Sequence, residues 1–85
     1  MRLRLISPRQ LGRQLLSAAR RDHTQVADYL DANRDQWEAL AGAAPSDAAD
    51  VLEQLEEEAA AGLLANLSPE EAADILEEIA PELAV

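Results

Sequence analysis

Apolar residues recur every three or four positions along most of the chain, with polar residues between them. This spacing places the apolar side chains on one face of an α-helix, so it predicts amphipathic helices that pack on one another. Six such stripes predict six helices. In chain order the stripes are Leu11, Leu15 and Ala18 or Ala19; Val26, Tyr29 and Leu30; Trp37, Leu40 and Ala41; Ala48, Val51, Leu52 and Leu55; Ala59, Leu63, Leu64 and Leu67; and Ala72, Ile75, Leu76 and Ile79.

Capping residues precede most of the stripes. A Ser, Asp or Asn three residues before Gln or Glu satisfies free N–H groups at a helix start, and Pro is favoured at the first helical position. Gly42 predicts the end of the third helix, and a break at 55–57 predicts a fifth helix that runs through Asn66. The predicted starts are Ser7-Pro8-Arg9-Gln10, Asp22 with Gln25, Asn33 with Gln36, Pro45, and Ser68-Pro69-Glu70-Glu71.

One phrase occurs twice in the second half of the chain, as PSDAADVLEQL at 45–55 and PEEAADILEEI at 69–79, 24 residues apart. A fixed period of this kind indicates an array of small helical units that bury their apolar faces against their neighbours. We therefore predict a single all-α domain over residues 1–85. It would have an irregular arm at 1–6, leading helices at 7–44 and the 24-residue repeats at 45–85.

The second copy of the phrase is followed by Pro81, which predicts the start of a seventh helix. That helix is only one turn long at Val85, too short to form alone, and the last apolar face of the array is left uncovered. We expect the 85 residues to be an N-terminal fragment of a longer polypeptide. Alternatively, a second copy covers the open end in a homodimer.

The charge is distributed unevenly along the chain. All seven basic residues are arginines between Arg2 and Arg34, and with three aspartates they give that part a net charge of +4. Fourteen acidic residues and no basic residue follow from Asp35 onward. Such a segment repels nucleic acid, whose binding depends on neutralising phosphates, so we expect cations or a basic protein surface as partners.

Other features limit the classes of function. The sequence has no cysteine, no glycine-rich phosphate loop, no catalytic triad material and no apolar run near the length of a membrane span, so we expect a cytoplasmic protein that is not an enzyme. The lone histidine, His23, suits a surface or capping role, and spacing puts Trp37 in the core. Arg2, Arg4, Arg9 and Arg13 offer weak grounds for contact with lipid headgroups or an acidic surface.

The repeated phrase, Pro-x-[Asp/Glu]-Ala-Ala-Asp-[Val/Ile]-Leu-Glu-x-[Leu/Ile], with the intervening helix EEEAAAGLLANL, resembles the cytosolic N-terminal domain of MgtE-type magnesium transporters. The resemblance implies a right-handed superhelix of about six or seven short helices, beside a pair of CBS domains on the cytosolic side of an inner-membrane protein. It also implies a magnesium sensor, in which Mg²⁺ between the acidic faces of this domain and a CBS domain closes the channel.

Carried to this sequence, the resemblance assigns Asp50, Glu70 and Asp74 to Mg²⁺, bound when the neighbouring domain is present. The residues themselves also favour a hard cation, because like charges one helical turn apart, as at Glu70 and Asp74, are unfavourable without one. For these carboxylates the alternative is an ordinary solvated acidic face. For the domain as a whole, the alternative is a metal-independent helical-repeat adaptor that binds a partner protein through the open end of the array or through the basic arm. Flagellar motor switch proteins carry similar helical repeats.

Overall fold

A computed structural model of the chain describes residues 7–79, and this part contains six α-helices and no strand. The all-α prediction and the number of helices in this range are confirmed. The predicted arm at 1–6 and the predicted helix after Pro81 lie outside the described residues. The helices are α1 (Pro8–Arg21), α2 (His23–Ala32), α3 (Arg34–Ala43), α4 (Pro45–Glu53), α5 (Glu57–Ala65) and α6 (Pro69–Ile79).

Single residues connect the first four helices: Asp22, Asn33 and Ala44. Each has an extended φ between −126° and −155° with ψ between 62° and 89°. The N–H of each junction residue donates to the carbonyl four residues earlier, at 2.8, 3.0 and 2.8 Å, and its own carbonyl accepts from the residue four positions later. One residue therefore closes one helix and opens the next, and both helices keep their terminal hydrogen bonds.

The junctions are spaced 11 residues apart, and the apolar positions between them follow the same register. The 24-residue period of the second half is thus preceded by an 11-residue period in the first half. The sequence did not reveal this shorter period, because different residue types occupy its equivalent positions. The equivalent sets are Asp22, Asn33 and Ala44; Val26, Trp37 and Ala48; Tyr29, Leu40 and Val51; and Leu30, Ala41 and Leu52.

Two details of the third helix differ from prediction. The Asn33 side chain does not cap α3; its amide N–H, a donor that the equivalent Asp22 carboxylate lacks, donates to the Tyr29 carbonyl at 2.8 Å at the end of α2. Its expected partner Gln36 is buried and accepts a 2.6 Å hydrogen bond from the Tyr29 hydroxyl. Gly42 does not end α3, since it keeps a negative φ and the helix continues to Ala43.

The predicted caps of α1, α2 and α6 are present. Ser7 forms a full capping box with Gln10, and the Asp22 side chain accepts from the Gln25 N–H. At α6 the Ser68 hydroxyl accepts from the Glu71 N–H at 3.2 Å, while the Glu71 carboxylate accepts from Ser68. These bonds satisfy donors that a helix start leaves free, and each cap is worth about 1 kcal/mol.

The core forms where the six helices meet, and every helix contributes to it. Helices three apart in the chain contact each other in all three possible pairs, α1 with α4, α2 with α5 and α3 with α6. This pattern stacks the chain in layers of three helices and is compatible with the expected superhelix, whose right-handed sense stays a prediction. The buried apolar residues are Leu11, Leu15, Ala19, Val26, Leu30, Trp37, Leu40, Ala41, Ala44, Ala48, Ala49, Val51, Leu52, Leu63 and Ile75.

Candidate functional site

The two copies of the repeated phrase form α4 and α6, and these helices pack directly against each other. Packing buries the apolar positions of α4 and the central Ile75 of α6. Because the apolar stripe of each helix faces inward, most of its acidic residues face solvent. The two helices therefore present acidic surfaces that lie next to each other in the folded domain.

The three residues predicted to face Mg²⁺ are all exposed. Asp50 lies on α4, at the position equivalent to Asp74 on α6, and Glu70 lies one turn before Asp74 in the first turn of α6. A carboxylate in the first turn is favoured by the positive end of the helix dipole. All three side chains are thus available to a partner or a hydrated ion.

These three carboxylates do not converge into one enclosed site. Across residues 7–79, no group of three or more His, Cys, Asp or Glu side chains is arranged so that it would hold a metal ion. The donor chemistry still suits Mg²⁺, which binds through one or two carboxylates and keeps several of its waters. Any site here would need further ligands from water or a second surface, and the assignment of Asp50, Glu70 and Asp74 stays a prediction.

Asp47 and Glu71, the third residues of the two phrases, have a structural role that sequence reasoning missed. Both are half-buried, and each lies against a glycine of an earlier helix. A Cβ added to Gly12 of α1 would come within 2.7 Å of the Asp47 Cβ, and one added to Gly42 of α3 would lie 3.3 Å from a Glu71 carboxylate oxygen. The repeat thus separates its acids into packed and exposed positions.

Two arginines of α1 lie beside the start of α4. Arg9 and Arg13 are exposed and line a cavity of about 240 Å³, together with Asp47 and Pro45 at the start of α4. Arg2 and Arg4 are outside the described residues. The expected basic surface is therefore present at α1 as far as the structure describes it, and its partner stays a prediction.

Trp37 and His23, the two other residues considered from sequence, differ in burial. Trp37 is completely buried, which confirms it as a core residue, and its indole N–H donates to the Leu63 carbonyl at 2.9 Å. His23 is the first residue of α2 and is half-buried. The hydrogen bond of Trp37 joins α3 to α5.

The repeat-equivalent leucines differ sharply in exposure. Leu52 of α4 is 3% exposed, whereas Leu76 of α6 is 51% exposed. The alanines three residues before them differ in the same way: Ala49 is buried and Ala73 is exposed. The expectation that Leu76 faces the core is therefore wrong. The side of α6 that carries Ala73 and Leu76 is left open by the described helices, whereas α4 is enclosed by α1, α3 and α6.

The family of the chain is identified by its sequence. The sequence profile of the MgtE intracellular N domain matches residues 6–85. The chain belongs to this family. No curated protein and no solved structure is significantly similar to the chain.

Membership in the MgtE intracellular N domain family covers the leading helices as well as the repeated phrase, so it extends beyond the stretch on which the resemblance was based. The family is one of transporter regulatory domains and is not a family of enzymes. None of the helices in the described range is long and apolar enough to cross a membrane. MgtE-type magnesium transporters are accordingly the context in which the acidic surface of α4 and α6 has to be interpreted.

Proposed function

We propose that this MgtE N domain is a magnesium-responsive regulatory module on the cytosolic side of a transporter. Its acidic surface on α4 and α6 associates with a neighbouring CBS domain when Mg²⁺ is abundant and separates from it when Mg²⁺ is scarce. The observation that carries the proposal is the exposure of Asp50, Glu70 and Asp74 on two helices that pack together.

The electrostatics of α6 support a response to a cation. Glu70 and Asp74, and Asp74 and Glu78, are neighbours at a spacing of four residues, and all three are exposed. Each like-charge pair costs a helix about 0.2–0.5 kcal/mol. Two acidic surfaces also repel each other. Because this chain has a formal net charge of −10, it would separate from an acidic neighbouring domain unless cations lie between them.

The arrangement of the carboxylates favours an ion that bridges two domains, rather than an ion that is bound entirely within this domain. Asp50, Glu70 and Asp74 each offer oxygen ligands to solvent, but the described residues form no metal-binding group of their own. A second surface that supplies the remaining ligands would make affinity depend on domain association. The ion concentration would then shift the balance between a compact and a separated arrangement.

The test is a Mg²⁺ titration of the cytosolic region that joins this domain to its CBS pair, followed by small-angle scattering and protection from protease. We expect compaction in millimolar MgCl₂ and none in NaCl of equal ionic strength. Asp50→Asn combined with Asp74→Asn should raise the Mg²⁺ concentration at half-compaction about fivefold, equivalent to about 1 kcal/mol.

A matched control removes two charges from another helix. Asp35 and Glu38 are exposed on α3, so Asp35→Asn combined with Glu38→Gln should leave the half-compaction concentration nearly unchanged. If the titration shows no compaction, or if both double variants shift it equally, Mg²⁺ does not act through the α4 and α6 surface.

A second function, a metal-independent adaptor, is favoured by one observation, the 51% exposure of Leu76. An exposed leucine beside Ala73 offers a small apolar contact to a partner helix or to a second copy of the chain. Chelation separates the two functions. An adaptor would keep its partner in the presence of EDTA, whereas the magnesium-responsive module would release it.

A further inference from the structure

A groove of about 410 Å³ lies between α2 and α5, on different helices from the proposed magnesium-responsive surface. The buried Leu63 lies at its base, with Ala59 and Gly62 of the same helix along it. Nothing lies within 4 Å of the position that a Cβ on Gly62 would occupy, so the groove has free space beside this residue. Its volume falls in the range of sites that accept a large side chain or a small ligand.

The edges of the groove carry three exposed carboxylates, Asp28 and Asp31 of α2 and Glu58 of α5. The two aspartates on α2 are unusual, because the first 34 residues form a net basic segment that contains only three acidic residues. One of these, Asp22, is used as the cap of α2. The other two both line the groove, so its acidity does not follow from the general excess of acids in the second half.

The shape and charge of the groove favour one kind of occupant. Arginine and lysine carry a cationic head on an apolar stem, and the stem lies against apolar surface while the head reaches carboxylates. The groove offers both, with an apolar base of Ala59, Gly62 and Leu63 between acidic edges. Arginine matches best, since its planar guanidinium has five donors that can serve carboxylates on two helices at once.

A bare metal ion matches less well. A divalent cation needs several oxygen ligands around one point, and no metal-binding group occurs among the residues that the structure describes. We propose that the groove between α2 and α5 is a docking site for a basic segment of a partner protein, with an arginine side chain lying between the two helices. The site works without Mg²⁺ and does not depend on the proposed function of the α4 and α6 surface.

The chain contains its own reporter for this site. Trp37 is the only tryptophan, and its buried indole N–H donates to the carbonyl of Leu63 at the base of the groove. An occupant in contact with Leu63 would lie next to the acceptor of this bond, so we expect the environment of the indole to change. Tryptophan fluorescence should therefore follow binding in the chain without a label.

The probe is the peptide acetyl-Ala-Arg-Ala-Ala-Arg-Ala-amide, titrated into the whole 85-residue chain in the presence of EDTA. The matched control peptide has citrulline, which is neutral and nearly isosteric, in place of both arginines. We expect the arginine peptide to change Trp37 fluorescence and to shift the backbone amide signals of residues 27–31 and 58–66. The citrulline peptide should do neither.

Two sets of variants locate the effect. Asp28→Asn with Asp31→Asn removes the two carboxylates of α2 and should weaken peptide binding about tenfold, as the loss of one charge-assisted hydrogen bond implies. Gly62→Leu places a bulky side chain in the groove and should weaken binding by a similar factor through steric exclusion. Asp35→Asn with Glu38→Gln removes the same number of charges elsewhere and should change the affinity less than twofold.

Three results would overturn the proposal. The first is amide shifts that centre on α4 and α6, and the second is equal binding of the citrulline peptide. The third is displacement of the peptide by millimolar MgCl₂ beyond what NaCl of equal ionic strength causes, which would make the groove a metal site. The amide shifts of the unsubstituted chain decide the location even if a variant fails to fold.

Discussion

The three glycines occupy helical positions with very different surroundings, which allows a sharp test of the packing. All three have helical, negative φ values, so alanine is compatible with the backbone at each. In a helix interior, Gly→Ala alone stabilises by about 1 kcal/mol. Gly62→Ala should show this full gain, because its new methyl group contacts nothing within 4 Å.

Gly12→Ala should have the opposite sign. Its Cβ would lie 2.7 Å from the Asp47 Cβ and 3.3 Å from Leu40 Cδ1. A Cβ next to the backbone has no rotamer by which to escape, so α1 and α4 must move apart. Overpacking of this kind costs about 1–3 kcal/mol, which outweighs the gain in helix propensity and leaves a net loss of about 1 kcal/mol.

The assay is urea unfolding followed by circular dichroism at the helix band, supported by thermal melts. For a domain of this size, 1 kcal/mol corresponds to about 4–8 °C in Tm, so Gly12→Ala and Gly62→Ala should melt well apart, on opposite sides of the wild type. Gly42→Ala should fall between them, because its nearest contact is a flexible carboxylate oxygen at 3.3 Å.

A second substitution identifies the clashing atom. Asp47→Ala keeps a Cβ, so adding it to Gly12→Ala should not restore stability, whereas a clash with the carboxylate itself would be relieved. If Gly12→Ala stabilises the chain as much as Gly62→Ala does, the close approach of α1 and α4 is refuted, and with it the packed role of Asp47.

Other predictions use the same unfolding assay. Leu52→Ala should cost about 2–5 kcal/mol because it leaves a cavity, whereas Leu76→Ala at the equivalent exposed position should change stability by less than about 0.5 kcal/mol; similar losses would contradict the difference in burial. Trp37→Phe should cost about 1–3 kcal/mol because it removes the 2.9 Å indole hydrogen bond and leaves a smaller ring in the buried space, while the Leu63 carbonyl keeps only the Asn66 N–H at 3.2 Å. A neutral outcome would argue against the indole bond. Ser68→Ala should cost about 1 kcal/mol through loss of the α6 cap, with Ser68→Thr as the matched control that retains it.

The helices were largely predictable from sequence because their signals are local. Spacing of apolar residues and caps such as Ser7 and Ser68 act within one or two turns, and the observed helices begin close to the predicted positions. Asn33 failed as a predicted cap although Asp22, whose backbone is shared by two helices in the same way, caps α2 as predicted. The Asn33 amide can also donate, and it bonds to the Tyr29 carbonyl of the earlier helix.

The candidate site was predictable only in part. Exposure of Asp50 and Asp74 follows from the helical period, but the same period does not separate them from Asp47 and Glu71, which pack against glycines of other helices. That distinction depends on contacts between residues about 30 positions apart. The burial of Leu52 and exposure of Leu76 likewise depend on which neighbouring helix is present, and identical residues cannot reveal it.

The single-residue junctions at Asp22, Asn33 and Ala44 make the first half of the domain intolerant of changes in length. Each residue added to a helix turns everything after it by about 100°, and a junction of one residue has no slack to absorb the turn. An insertion at Asn33 would rotate the apolar stripe of α3 out of the core. The links of three residues at 54–56 and 66–68 have such slack, so natural and engineered variation in chain length should concentrate there and leave the 11-residue register intact.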